Sequence, residues 1–176
     1  WSRPGQLNYA STGAGGSNHL AAELFNTMAG IRMGQVPYKG PPQALADVIS
    51  GQVQFMISSI QTALPLARGG KLRALAVTSA QRSQAAPELP TVADTLPGYV
   101  AIGWYGLMAP KGTPAAIVNL LQQAMARGML TPETRARIAA DGSEPVASTP
   151  ERYAEHLRSE LARYRKVIRD AGIRIE

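Results

Sequence analysis

The stretch Asn8-Tyr9-Ala10-Ser11-Thr12-Gly13-Ala14-Gly15-Gly16-Ser17-Asn18-His19 brings hydroxyls, an amide, an imidazole and pliable backbone into one short segment. Gly13, Gly15 and Gly16 carry no side chain and tolerate φ > 0, so the main chain can close around a ligand there. Ser17 or Asn18 can cap the helix that follows. The first N–H groups of that helix lack intrahelical partners and carry partial positive charge. Ser11, Thr12 and Ser17 add hydroxyls, and the whole describes a cradle for an anion, either carboxylate or phosphate.

Nucleotide chemistry is a poor match to this loop. Gly13-x-Gly15 opens a dinucleotide fingerprint, but Asn18 stands where the third glycine belongs, and no clear acid follows on a second strand. A Walker A loop fails because no Lys-Ser or Lys-Thr follows the glycines. Histidine occurs only as His19 and His156 and cysteine is absent, so neither a Cys/His set nor a metal-binding cluster has enough members. There is no Gly-x-Ser-x-Gly elbow. His19, in the first helical turn, is read as a neutral imidazole donating a local hydrogen bond, because the helix dipole disfavours positive charge there. His156, among charges, is read as solvated. No catalytic residue, cofactor or metal is assigned.

Two further features accompany the loop. In Val36-Pro37-Tyr38-Lys39-Gly40, Tyr38 and Lys39 can face a cleft or simply end a strand in an exposed turn. Ser58-Ser59 follow the apolar run Val53–Ile57. Trp104 and Tyr105 can line a cleft or pack at a hinge.

The elements that must position these groups alternate strand and helix. Leu7–Ala10 reads as a strand and Asn18–Ala29 as a helix stopped by Gly30, with Leu20, Leu24, Phe25 and Met28 on its apolar face. Gln35–Tyr38 is a second strand, Pro41-Pro42 start a helix ended by Gly51, and Val53–Ile57 is a strand buried on both faces. A short helix interrupted by Pro65 follows, then a buried strand at Leu72–Thr78. Tyr99–Ala109 is an extended crossing segment, read as two short strands around Gly103. Thr113-Pro114, Thr131-Pro132 and Thr149-Pro150 each open a helix, threonine capping and proline in the first turn. Alternation of this kind predicts a largely parallel α/β sheet. Such sheets place ligands at the carboxyl ends of strands, where the glycine loop and Ser58-Ser59 both fall.

Composition narrows the partners. The 176 residues are 45% hydrophobic, enough for a folded core, and carry a net charge of +6. That charge is spread evenly, without the basic stripe and interleaved aromatics of a nucleic-acid surface, so small anions are the expected partners. No apolar run reaches the roughly 20 residues needed to cross a bilayer. The chain opens on Trp1 rather than Met, which fits a start internal to a longer product.

Beyond single residues, a series of ordered motifs stands out. They are Leu7-Asn8-Tyr9-Ala10-Ser11 with Gly13-x-Gly15, Ser17-x-His19-Leu20-Ala21-x-Glu23-Leu24-Phe25, Val36-Pro37-Tyr38-Lys39-Gly40 and Gly51-Gln52-Val53. Ala63-Leu64-Pro65, Gly70-Lys71-Leu72-Arg73-Ala74-Leu75-Ala76-Val77-Thr78, Pro90-Thr91-Val92-Ala93, Ala109-Pro110-x-Gly112-Thr113-Pro114 and Gly142-x-Glu144-Pro145 follow. In this order the chain resembles the periplasmic receptors of tripartite tricarboxylate transporters, the Bug or TctC-like family.

The resemblance implies a type II periplasmic binding protein fold, a periplasmic location and no catalytic activity. It implies a small carboxylate ligand and membrane transporter subunits as partners, and closure of two lobes over the ligand. Residues 1–101 would form the second lobe. Residues 102–176 would form the hinge crossing and the C-terminal portion of the first lobe, the rest of the family pattern lying ahead of this chain. Ser11, Thr12, Gly13, Gly15, Gly16, Ser17 and Asn18 would hold one carboxylate, His19 and Tyr38 would shape the rim, and Ser58 and Ser59 would meet the ligand from the neighbouring strand. Many relatives place an acid and an amide at the last two positions, so hydroxyls there imply a ligand without an amino group. Half a cleft implies weak binding, and surface meant for absent strands implies self-association. The alternatives left open are a sensor or interaction module working through the charged final helix, and a phosphate-binding enzyme fragment.

Overall fold

In the computed structural model, residues 6–140 and 142–173 are described, so the outermost parts of segments 1–101 and 102–176 lie outside the described residues. The chain divides into one compact unit of residues 1–103 with 163–176 and another of 104–162.

The first unit is built on a parallel three-stranded sheet in the order β2-β1-β3. Strand β1 (Asn8–Ser11) lies in the middle, between β2 (Gly34–Pro37) and β3 (Phe55–Met56). Each crossover carries a helix, α1 (Ser17–Ala29) and then α2 (Pro41–Ile49), as parallel neighbours require. Helix α3 (Ile60–Arg68) follows β3. Gly30 closes α1 in the left-handed region at φ 64°, the conformation expected of a glycine stop.

Side-chain alternation along β1 sorts the packing into layers. Ala10 faces α2, in a cluster with Ala44 and Val53 bordered by Val36, Val48 and Met56. Tyr9 points the other way, where its ring stacks on His19 of α1 with centroids 6.2 Å apart. Further along α1, Ala21 and Leu24 pack with Tyr99, Ala101 and Val167. Tyr99 is fully buried, meets Phe25 edge-on and donates its hydroxyl to the Ala21 carbonyl at 3.0 Å. Burial pushes the Tyr99 phenol far above its ordinary range, so it stays a donor at any working pH.

The second unit contains α4 (Ala115–Met129), α5 (Pro132–Ala140) and the first turns of α6 (Pro150–Asp170), whose last turns belong to the first unit. Within it the Trp104 ring meets Tyr153 and His156 edge-on, and its indole N–H donates to Glu160 at 3.2 Å.

Several sequence expectations are corrected. Leu72–Thr78 is not a strand: Val77 pairs in an isolated bridge to Thr91, Thr78 accepts a single N–H bond from Ala101, and Leu75 is 58% exposed. An extended segment becomes a strand only when a neighbour takes up its N–H and C=O groups, and composition does not show that neighbour. For the same reason Tyr99–Ala109 holds no strand, and Val53–Ile57 shrinks to two paired residues, half-buried rather than covered on both faces. Pro65 lies within α3 instead of interrupting it. Thr131 and Thr149 hydroxyls do accept N–H bonds, from Thr134 and Arg152, but Thr113 donates to the Pro110 carbonyl, and α4 starts after Pro114 without a side-chain cap.

Tyr99→Phe removes the bond to Ala21 while keeping the ring, and should cost about 1 kcal/mol in urea denaturation. Tyr99→Ala empties the site and should cost about 3–5 kcal/mol. Equal losses would mean that the ring contributes little.

Candidate functional site

Parallel pairing brings three chain exits to one edge of the sheet. β1 leads into the glycine loop, β2 into Tyr38, and β3 through Ile57 into Ser58 and Ser59. The predicted groups therefore share an edge, but they do not share a role.

Ser11 is fully buried, with its hydroxyl accepting from Gln35 Nε2 at 2.7 Å and its carbonyl accepting from the Tyr38 N–H at 2.8 Å. Both of these Ser11 oxygens are engaged within the sheet. Gln35 pairs with Tyr9 in the register, so it reaches Ser11 diagonally on the same face.

The glycine loop is organised by two side chains that sequence reading had placed elsewhere. Asn18 turns back across the loop instead of capping α1. Its Oδ1 accepts from the Thr12 N–H at 3.4 Å, the Thr12 hydroxyl at 3.2 Å and the His19 N–H at 2.9 Å. Gly16 is the N-cap, without a side-chain bond, and a Cβ there would come within 3.3 Å of the Asn18 oxygen. His19, 5% exposed, accepts at Nδ1 from the Gly15 N–H at 3.0 Å. The imidazole is thus neutral as expected, but it accepts locally rather than donates, which places its proton on Nε2. Burial lowers the His19 pKa, and the Glu23 carboxylate opposes that shift.

Gly15 can turn its N–H inward because it sits at φ 74°, and Gly13 sits at φ 115°. Only the Gly16 N–H closes the turn itself, onto the Gly13 carbonyl at 3.4 Å. Among the described residues, the N–H groups of Gly13, Ala14, Ser17 and Asn18 have no hydrogen-bond acceptor. They lie at the positive end of α1 and can bind an oxyanion.

Tyr38, expected at the rim, has its own partners within the first unit. Its hydroxyl donates to Asp47 of α2 at 2.8 Å, and its ring packs against the Ala10 cluster. Burial, then that carboxylate, raises its pKa. Ser59 is exposed, caps α3 with backbone only and shares a hydroxyl bond with Thr62 at 2.7 Å. Ser58 is half-buried with no hydrogen bond described.

Sequence reading missed a polar stripe on α1. His19, Glu23 and Asn26 are spaced i, i+4 and i+7, so they share one helix face. Glu23 accepts from the Tyr9 hydroxyl at 2.6 Å and from Asn26 Nδ2 at 3.2 Å. Burial and this carboxylate raise the Tyr9 phenol out of the titrating range. His19, Glu23 and Gln35, with Ala14, Ala171, Gly172 and Ile173, line a cavity of about 260 Å³. Among the described residues no group of His, Asp or Glu is placed to hold a metal ion.

Comparison with known proteins places this arrangement in context. A family model described as tripartite tricarboxylate transporter family receptor matches residues 2–173. The chain is 34% identical to protein BugT of Bordetella pertussis over 175 residues, covering 99% of this chain and 54% of BugT. It spans about half the length of curated relatives such as this one. Among solved structures it is similar to R. palustris Rpa4515 with adipate, at TM-score 0.85 and 37% identity, covering 97% of this chain and 57% of that one. It is also similar to MatC from Rhodopseudomonas palustris with bound malate, at TM-score 0.79 and 31% identity, covering 95% and 58%. The chain belongs to the tripartite tricarboxylate transporter receptor family.

Asn18→Ala removes the acceptor that gathers Thr12 and His19. It should lower stability by about 1–2 kcal/mol in chemical denaturation. An unchanged midpoint would show that water replaces those bonds without loss.

Proposed function

We propose that this member of the family is the ligand-capturing part of a periplasmic solute receptor for a small di- or tricarboxylate, passed on to a membrane transporter. The observation that carries the reading is the set of N–H groups on Gly13, Ala14, Ser17 and Asn18, at the exit of the central strand, that have no acceptor among the described residues. They suit a carboxylate oxygen, with the exposed Ser17 hydroxyl beside them. Thr12 is tied to Asn18, and Gly15 and Gly16 supply turns rather than donors. Ser58 and Ser59, leaving the neighbouring strand at the same edge, would take up further ligand oxygens. Adipate and malate, named with the two similar structures, are both dicarboxylates without an amino group, which supports the same class here. Residues 1–101 act in this reading as the second lobe and 102–176 as the crossing and the returning part of the first.

The phosphate-enzyme alternative loses ground because the one imidazole beside the loop is buried and already bonded to it. Function here is capture without turnover. Self-association belongs to the same proposal, since Leu107, Met108, Leu120 and Leu121 of the second unit are all more than half exposed.

Affinity should be low for one face of a cleft. A micromolar site needs about −8 kcal/mol. A few charge-assisted bonds at about 1.5–3 kcal/mol each must also offset several kcal/mol of lost ligand freedom. Adipate added to the ¹⁵N-labelled chain should shift the amides of Gly13, Ala14, Ser17, Asn18, Ser58 and Ser59, with a Kd on the order of 1 mM. Inorganic phosphate should shift them less. Adipate shifts confined to other residues would overturn the site, and submillimolar binding would overturn the half-cleft account.

A further inference from the structure

We infer that His19 is the positioning residue of the glycine loop and its pH-sensitive latch, the neutral imidazole holding Gly15 inward while the neighbouring N–H groups are left without an internal acceptor. The inference rests on the reading of that loop as the carboxylate seat, but its geometry is independent of any ligand.

Nδ1 of His19 accepts the Gly15 N–H at 3.0 Å, and the residue is 5% exposed. Ring orientation is set by the Tyr9 face, stacked at an interplanar angle of 27°. The next residue, Gly16, bonds Gly13 to close the turn, so the position of Gly15 fixes the loop on both sides. Protonation would put a hydrogen on Nδ1 facing the Gly15 N–H, donor against donor. The bond would then be lost, and a glycine at φ 74° can swing away at little conformational cost.

Among the described residues, the ionisable groups facing the imidazole are Glu23 from α1 and Tyr9 from β1. β2 contributes the uncharged Gln35, and the described residues after α6 contribute Ala171, Gly172 and Ile173. Glu23 favours the imidazolium, but burial outweighs it and lowers the pKa from 6.5. The accepting form is therefore fully in place above the ordinary value and is lost as pH falls through the lowered one.

The test follows the ¹⁵N-labelled chain by NMR between about pH 8 and pH 5. Neutral His19 should show its proton on Nε2, and the amides of Gly13–Asn18 should move together with the imidazole titration. His19→Asn places an amide oxygen near the Nδ1 position without a titrating group, and should hold the loop amides still over the same range. His19→Leu should speed hydrogen exchange at Gly15 by roughly three- to tenfold. Loop amides that ignore the imidazole titration, or that titrate equally in His19→Asn, would overturn the latch. A separate addition of adipate at pH 8 distinguishes the two readings. Shifts elsewhere in the chain would sink the carboxylate seat, while a loop that still follows His19 would leave the latch standing.

Discussion

Strand β1 is hydrogen-bonded along both edges and fully buried at Tyr9, Ala10 and Ser11, so every polar atom of those three residues must find a partner within the protein. An orphaned donor or acceptor there would cost about 1–3 kcal/mol. Tyr9 meets this demand through Glu23, and Ser11 meets it through Gln35 and the main chain of Tyr38. Those partners sit on α1 and on the strand that α1 leads to. The central strand thus fixes the rotation of the first helix and the register of the second strand together. It also forces every exit of the sheet onto one edge, which is where the candidate ligand-binding groups collect.

The glycine loop then divides its main chain between structure and solvent. Gly15 and Gly16 point their N–H groups back into the protein, while Gly13, Ala14, Ser17 and Asn18 do not. A loop with all its amides outward would have no internal bonds to hold its shape, and would have to be ordered by the ligand at an entropic cost. Here Asn18 and His19 provide that order beforehand. The buried face of α1 is accordingly mixed, with Leu24 and Ala21 packing toward Tyr99 and the His19–Glu23–Asn26 stripe bonded to the strand and to its own loop.

The helices were legible from the chain because their signals are local: periodic apolar positions, Gly30 as a stop, prolines at the starts of α2 and α6. The parallel sheet followed from their alternation with short apolar runs. Strand pairing was less legible, because Leu72–Thr78 looks like a buried strand by composition and fails only for want of a neighbour. At the site, residue types pointed to the right loop but not to the division of labour within it. A serine such as Ser11 reads the same whether its hydroxyl faces a ligand or a buried glutamine. The stripe at positions 19, 23 and 26 was open to detection by its spacing, but it lay beside an apolar pattern that draws attention first.

The placement of β1 also has a kinetic consequence. Within this sheet the earliest strand pairs with the latest, and the partners Tyr9 and Phe55 lie 46 positions apart, as do the bonded Asn8 and Gln54. Such distant pairings close slowly because chain entropy is lost before any bond rewards it. Until β3 docks, one edge of β1 lacks its partner. Through that interval its backbone edge is open to pairing with other chains, which makes the unfinished sheet the stage of folding most exposed to aggregation.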